Sequence, residues 1–344
     1  MIRILTCGGF QNRNPLAYAS FRRRLSSELA LVDRAEEADL LLISHHMDLE
    51  LFGTDLYETM ARHRHLRLVL LSEEPFWDTG WAEDPFRRDQ LYQTPRGTLA
   101  YRVLNHQTTG IFRAGHIPYF LLTDPRYLAH YRPLLDRNAG LSVAQWLAHF
   151  RSAPLDAAFM GEKRLAERDR IGFAEQDVWG LSWYRTRFAQ LCGSDGGRVL
   201  RLGKGWVAGP PRQALPDWHA DKLAQLDRQC RYLGAFENTH QRDYVSEKIF
   251  DAFALGAMPL YFAAPDHAVH RLAGSDGWLN FYATPPVAPV FDPRRPVTLT
   301  EAGAYAATQQ RLARQLGDPA LVRADTDRIC AALLSELRWA MAQP

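Results

Sequence analysis

The sequence predicts an α/β protein built from two successive parallel-sheet domains and closed by C-terminal helices. Three observations carry this. Short apolar runs alternate with amphipathic stretches in both halves of the chain. Its 344 residues exceed the usual content of a single domain. The stretch 300–342 is rich in Ala, Leu and Arg and has no strand pattern.

Residues 3–7 read as the first strand, stopped by Gly8-Gly9. Residues 15–32 read as a helix, with Pro15 at its start and Leu16, Phe21, Leu25 and Leu29 recurring near the helical period. Residues 38–44 are apolar almost throughout, as expected of a strand covered on both faces. Residues 49–63 read as a helix, and residues 66–71 as a third buried strand ending at Ser72-Glu73-Glu74-Pro75. This alternation implies a parallel sheet. Between residues 76 and 131 the pattern loses regularity and gains Trp77, Trp81, Tyr92, Tyr101 and Tyr119. Aromatic faces with polar tips suit a sugar-binding surface and equally suit loops packed over a sheet, so both readings stay open.

The second α/β pattern opens near Pro154. Strands are expected at residues 156–161, 198–203, 231–236 and 258–262, and helices at 183–191, 221–230 and 244–255. Two helices follow within 300–342. The connection at about residues 145–155 marks the expected boundary. It divides the chain into an N-terminal α/β domain at 1–153, a second α/β domain at 154–299 and C-terminal helices at 300–344 packing across both.

Composition excludes several classes. Hydrophobic residues make up 47% and charged residues 23%, ordinary for a folded globular chain. A net charge of +2 lacks the dense basic face of a nucleic-acid binder. The four cysteines show no CxxC pair and no ligand spacing, and read as reduced thiols. No leader pattern opens the chain, and no apolar run is long enough to span a membrane. The expectation is a cytoplasmic protein whose only membrane contact, if any, is peripheral at the inner membrane. Phosphate-loop and dinucleotide fingerprints are absent. His45-His46 and the His63, His65 pair lack a third ligand, and Asp325-Thr326-Asp327 falls inside a helix as a solvated face, so no metal is expected.

The densest chemistry lies at residues 236–250. Phe236-Glu237-Asn238 closes a strand, and Tyr244-Val245-Ser246-Glu247-Lys248-Ile249 opens the next helix, with Asp243 as its expected N-cap. Ligands of open α/β sheets bind outside the carboxyl ends of the strands. A helix N-terminus favours an anion such as a pyrophosphate, and Lys248 adds a full positive charge. The same spacing also fits an exposed helix with solvated Glu247 and Lys248.

Read together, these residues resemble the donor-site signature of the alpha-1,3-fucosyltransferases, glycosyltransferase family 10, over about residues 232–262. Arg67-Leu68-Val69-Leu70 leading to Glu73-Glu74-Pro75 is similar to the family's strand and Glu-x-Pro. Tyr184-Arg185-Thr186-Arg187-Phe188 falls where the family has an Arg at a helix start, and residues 193–203 resemble the glycine-containing turn and strand that follow. The resemblance implies a GT-B architecture, two Rossmann-like domains facing a cleft, and an inverting transfer of fucose from GDP-fucose to an oligosaccharide or lipid-linked cell-surface glycan. It implies Glu73 as general base, with Glu74 as the alternative. Arg185 and Lys248 would neutralise the pyrophosphate, with Arg187 the alternative to Arg185. Asn238 and Tyr244 would bond the donor, and Glu247 would contact its sugar or ribose and support developing positive charge. No cofactor is implied. Ala263-Ala264-Pro265-Asp266 and residues 272–279 depart from the family pattern. That leaves two alternatives: a same-fold transferase using another nucleotide sugar, and a catalytically silent sugar-nucleotide-binding scaffold.

Overall fold

A computed structural model of the chain describes residues 1–208 and 214–342. It divides into two units: unit 1 is Met1–Arg113 with Leu122–Asp124 and Arg323–Pro344, and unit 2 is Ala114–Leu121 with Pro125–Val322.

Unit 1 opens with β1 (Ile2–Thr6), α1 (Ala19–Leu25), β2 (Leu29–Leu31), β3 (Leu40–Ile43) and α2 (Met47–Arg62). It continues with β4 (Arg67–Leu71), α3 (Pro75–Trp81), β5 (Asp89–Thr94) and β6 (Gly97–Leu104). The sheet runs β2-β1-β3-β4-β6-β5, parallel except for the β5–β6 hairpin. All four residues of β3 are buried, as in a parallel strand covered on both faces. On one face Leu41, Ile43, Leu68 and Leu70 pack with Leu49 and Leu56 of α2. Burial of each such leucine contributes about 1.5–3 kcal/mol.

The expected helix over 15–32 is corrected. Asn14 caps a single turn at Pro15–Ala17 by accepting from the Leu16 amide, and Tyr18 is extended. Helix α1 then stops at Leu25, and β2 follows as the edge strand beside β1. Leu25 and Leu29 satisfy helical spacing by number alone. The Ile2 amide donating to the Glu28 carbonyl at 2.7 Å draws the second of them into the sheet instead.

Past unit 1's sheet come α4 (Tyr119–Thr123), α5 (Pro125–Ala139), α6 (Val143–Ser152), β7 (Leu155–Met160), β8 (Gly172–Phe173) and β9 (Val178–Gly180). Next are α7 (Ser182–Leu191), β10 (Val199–Leu202), α8 (Trp218–Leu226), β11 (Cys230–Gly234), β12 (Thr239–His240) and α9 (Lys248–Ala254). The chain ends with β13 (Met258–Tyr261), α10 (Val269–Ala273), β14 (Leu279–Asn280), α11 (Leu299–Gly317) and α12 (Pro319–Ala342). Unit 2 holds the parallel sheet β10-β7-β11-β13-β14 and the small antiparallel sheet β12-β9-β8. In each large sheet the second strand lies on one side of the first and the third on the other. The switch points therefore fall between β1 and β3 and between β7 and β11, where open α/β sheets bind ligands.

The units are cut differently from the division at 153 and 299. Helices α5 and α6 fall in unit 2: Asn138 donates to the carbonyls of Phe253 and Ala254 at 3.0 and 2.9 Å, and Trp146 meets Tyr305 of α11 at 4.8 Å between ring centroids. Residues 145–155 thus run through α6 into β7. Helix α11 stays with unit 2, whereas α12 from Arg323 onward joins unit 1, with Arg24 paired to Asp327 at 2.7 Å and Arg102 bonded to the Ala340 carbonyl at 3.1 Å. Among the described residues no helix is long and apolar enough to cross a membrane.

Candidate functional site

A pocket of about 430 Å³, counting the solvent at its open mouth, lies where β7 and β11 end, at unit 2's switch point. Met160 and Gly161 line it from the β7 side, and Gly234 and Phe236 from the β11 side. Three cations reach its wall: Arg185 from α7, Lys222 from α8 and Lys248 from α9.

Helix α7 places Arg185 because its buried face, Tyr184 and Phe188, packs edge-on and tilted against Phe236 at 5.4 and 4.7 Å. The Arg185 Nη1 donates to Asn238 Oδ1 at 2.6 Å, and the Leu181 amide donates to the Asn238 carbonyl at 2.8 Å. Arg187 does not line the pocket; it donates to Gln190 at 2.8 Å. Of the two sequence candidates, Arg185 is the one at the wall.

The expected helix over 244–255 begins later. Residues 241–247 are irregular, and α9 starts at Lys248 with Glu247 as its N-cap. Asp243 does not cap it; its carboxylate takes the Arg242 side chain instead. The cause is Glu237, a buried carboxylate that accepts from the Ser246 amide at 2.8 Å, the Ser246 hydroxyl at 2.6 Å and the Tyr261 hydroxyl at 3.2 Å. Those bonds tie Ser246, two residues ahead of α9, back to Glu237 just past β11. At its other end α9 closes on Gly256, whose φ of +74° is left-handed and open to glycine at no steric cost.

Lys248 is therefore the first residue of α9. Its ammonium donates to the Ser246 hydroxyl at 2.8 Å and pairs with Glu237 at 3.2 Å and Glu247 at 3.3 Å. Burial pushes the Glu237 carboxyl above its ordinary value, and the attraction of Lys248 offsets this only in part. For Glu247 burial also acts upward, yet Lys248 and Lys222 outweigh it, so that carboxyl sits below its ordinary value. Tyr244 does not line the pocket; it is buried with its ring edge-on to Phe120 at 5.4 Å. Thus Arg185 and Lys248 converge on the pocket, Asn238 and Glu247 hold them, and Tyr244 packs to one side. Chemically, the wall offers a planar fork of paired donors and two point charges to a multiply charged anion.

Sequence reasoning gave no role to Lys222, Glu237 or Asp251. Asp251 had a signal: it is the one charged residue in Ile249-Phe250-Asp251-Ala252-Phe253-Ala254, where an acid must be buried with partners. Lys222 had none.

Glu73 belongs to unit 1, at the carboxyl end of β4 and fully buried. Tyr18 donates its hydroxyl to Glu73 Oε1 at 2.8 Å, and Arg13 Nε approaches the same oxygen at 3.1 Å. Glu74, also buried, lies 3.7 Å from the Arg13 guanidinium, which sits over the Trp77 ring at 5.1 Å. The turn after β1 passes so close to α2 that a Cβ on Gly8, at φ +86°, would stand 2.4 Å from the Asp48 carboxylate. His45 lies between Phe10 at 4.4 Å and Trp77 at 4.3 Å. Burial, helped by His46 and Arg13, pushes its imidazole down to about 3, so it serves as a neutral aromatic ring. The structure thus gathers Trp77 and Trp81 around His45 in unit 1. Asp325 pairs with Arg328 at 3.1 Å and Asp327 with Arg24, and among the described residues no group of three potential metal ligands is assembled.

Residues 207–283 match the family described as "Glycosyltransferase family 10 (fucosyltransferase) C-term". No curated protein matches the chain. Among solved structures, an alpha1,3-fucosyltransferase with GDP-fucose is similar at 14% identity and TM-score 0.43, covering 99% of this chain and 90% of that one. An alpha1,3-fucosyltransferase with GDP gives 13% and 0.45, with 96% and 90% covered. Without a named ligand it gives 15% and 0.42, also with 96% and 90% covered.

Proposed function

We propose, from a chain that carries the C-terminal domain of glycosyltransferase family 10 over residues 207–283, that the protein transfers fucose from GDP-fucose to a hydroxyl of a glycan acceptor with inversion. The observation that carries this reading is the convergence of Arg185 and Lys248 on a pocket at a switch point, within and beside the segment that matches the family. A guanosine diphosphate is the ligand proposed for this pocket, which lies within and beside the segment that matches the family.

In this reading the acceptor oxygen attacks the anomeric carbon as Glu73 takes its proton. The bond from that carbon to the diphosphate oxygen breaks with its electron pair leaving on GDP. Attack opposite the departing group inverts the centre. Arg185 and Lys248 receive the charge that grows on the leaving diphosphate, an interaction strongest in the transition state. Glu247, kept ionised by the two lysines, faces positive charge developing on the sugar ring. Asn238 orients the Arg185 fork. The cations do what a metal does in other transferases, so the reading invokes none.

Thermal stability of the purified protein measured with GDP, UDP and CMP tests the donor; a response to UDP or CMP but not to GDP removes the assignment. Glu73→Gln is expected to abolish transfer, by 100-fold or more on the order expected for a lost general base, while GDP still binds. Full activity in that variant removes Glu73 from the role. A second reading, a same-fold transferase using another nucleotide sugar, follows from Ala263-Ala264-Pro265-Asp266 and residues 272–279, and a panel of sugar nucleotides separates the two.

A further inference from the structure

Lys222 is the pocket cation that no sequence pattern marked. Helix α8 begins at Asp217, whose side chain caps it by accepting from the His219 and Ala220 amides at 3.1 and 3.0 Å. The helix turns His219, Lys222, Leu223 and Leu226 inward. Lys222 lines the pocket, its side chain only 8% exposed. Its ammonium donates to Asp251 Oδ2 at 2.7 Å. Asp251 is fully buried on α9 and accepts on Oδ1 from the Tyr131 hydroxyl at 2.6 Å and from His219 Nε2 at 2.7 Å.

Two features of this cluster point to a ligand. An ammonium carries three donors, and among the described residues Asp251 takes one of those of Lys222. Burying two charges merely to join two helices is a costly device, because a well-packed apolar pair does as well or better. The ion pairs also share one orientation. Lys222 and Lys248 line the pocket, while their partners Asp251 and Glu237 lie behind it, buried and off its wall. Each pair turns its positive end to the pocket, with Asp251 fixing the Lys222 ammonium from behind at 2.7 Å.

We propose that Lys222 is a third cationic ligand of the nucleotide diphosphate, acting with Arg185 and Lys248 and aimed by Asp251. This rests on the reading of the pocket as a guanosine diphosphate site. Asp251 sits one turn along α9 from Lys248, its amide bonded to the Glu247 carbonyl at 2.8 Å. The Tyr131 hydroxyl reaches that same carbonyl at 3.2 Å. The anchor for Lys222 therefore also fixes the start of α9, so the cations are set at one spacing before any ligand arrives.

Calorimetric titration of GDP, GMP and guanosine into wild type and Lys222→Met tests the proposal, since methionine fills similar space without charge. The preference of wild type for GDP over guanosine is expected to fall about tenfold in Lys222→Met, the effect of one charge-assisted contact, with guanosine affinity unchanged. A helix-joining lysine would shift stability and leave that ratio alone. Lys222→Met strands a buried carboxylate, so the double variant Lys222→Met, Asp251→Asn is measured beside it, and the same fall is expected. An unchanged ratio in either folded variant overturns the role of Lys222. Wild type with no preference for GDP over guanosine overturns the diphosphate reading itself, and the proposal with it.

Discussion

At Ser246 one hydroxyl joins two opposite charges, donating to Glu237 at 2.6 Å and accepting from Lys248 at 2.8 Å. The residue is buried, so Ser246→Ala takes one donor from a carboxylate that burial already raises. Removing a hydrogen bond to a charged group costs about 1.5–3 kcal/mol. Urea unfolding at pH 7 is expected to show a loss of that order in Ser246→Ala. The same serine explains why the string Tyr244 to Lys248 was legible in the sequence although its conformation was not. A polar side chain, an acid and a lysine close together announce an electrostatic task. Whether the serine bonds backward to Glu237 or forward into a helix depends on where β11 ends.

The elements show the same division. Most strands of the large sheets lie within a residue or two of expectation, because a run such as Leu40 to Ile43 is apolar on both faces and has few other ways to be buried. The helices were placed less well at their starts, α9 above all, since the Glu237 network overrides an Asp that suits an N-cap. The C-terminal end of α9 lies within a residue of expectation, just before Gly256, where the backbone demands a left-handed residue. Gly256→Ala is expected to cost about 1–2 kcal/mol for that conformation. The new Cβ would stand 3.4 Å from Trp146, an ordinary contact, so the backbone carries the cost. A lowered melting temperature, with the urea m-value unchanged, is the result to look for.

Across the whole molecule, buried histidines tie stability to pH. His106 is stacked on Phe112 at 4.4 Å and donates Nε2–H to the Glu73 carbonyl at 3.0 Å. Burial pushes it down to about 3. The unfolded chain binds a proton at this residue below its ordinary value of 6.5, while the folded chain does not. The stability it contributes is thus present above 6.5 and lost as the pH falls toward 3. Buried acids such as Asp78, which burial raises, titrate in the opposite sense and are common to wild type and variant. Relative to His106→Gln, wild type is expected to lose up to about 1.4 kcal/mol per pH unit below about pH 6, measured as the difference in urea unfolding free energy.

Most strand positions of the two large sheets, the α/β alternation and the polar string after β11 were determined by the sequence alone. These depend on residue period, on burial tendency and on turn-forming residues a few positions away, all of which are local. Tertiary structure decided the order β10-β7-β11-β13-β14, the unit to which α5, α6 and α12 belong, and the arrival of Lys222 beside Arg185 and Lys248. Apolar helix faces are nearly interchangeable partners, so no local pattern says which sheet each one covers. A lysine on α8 meets one on α9 only after both helices have packed around the end of β11.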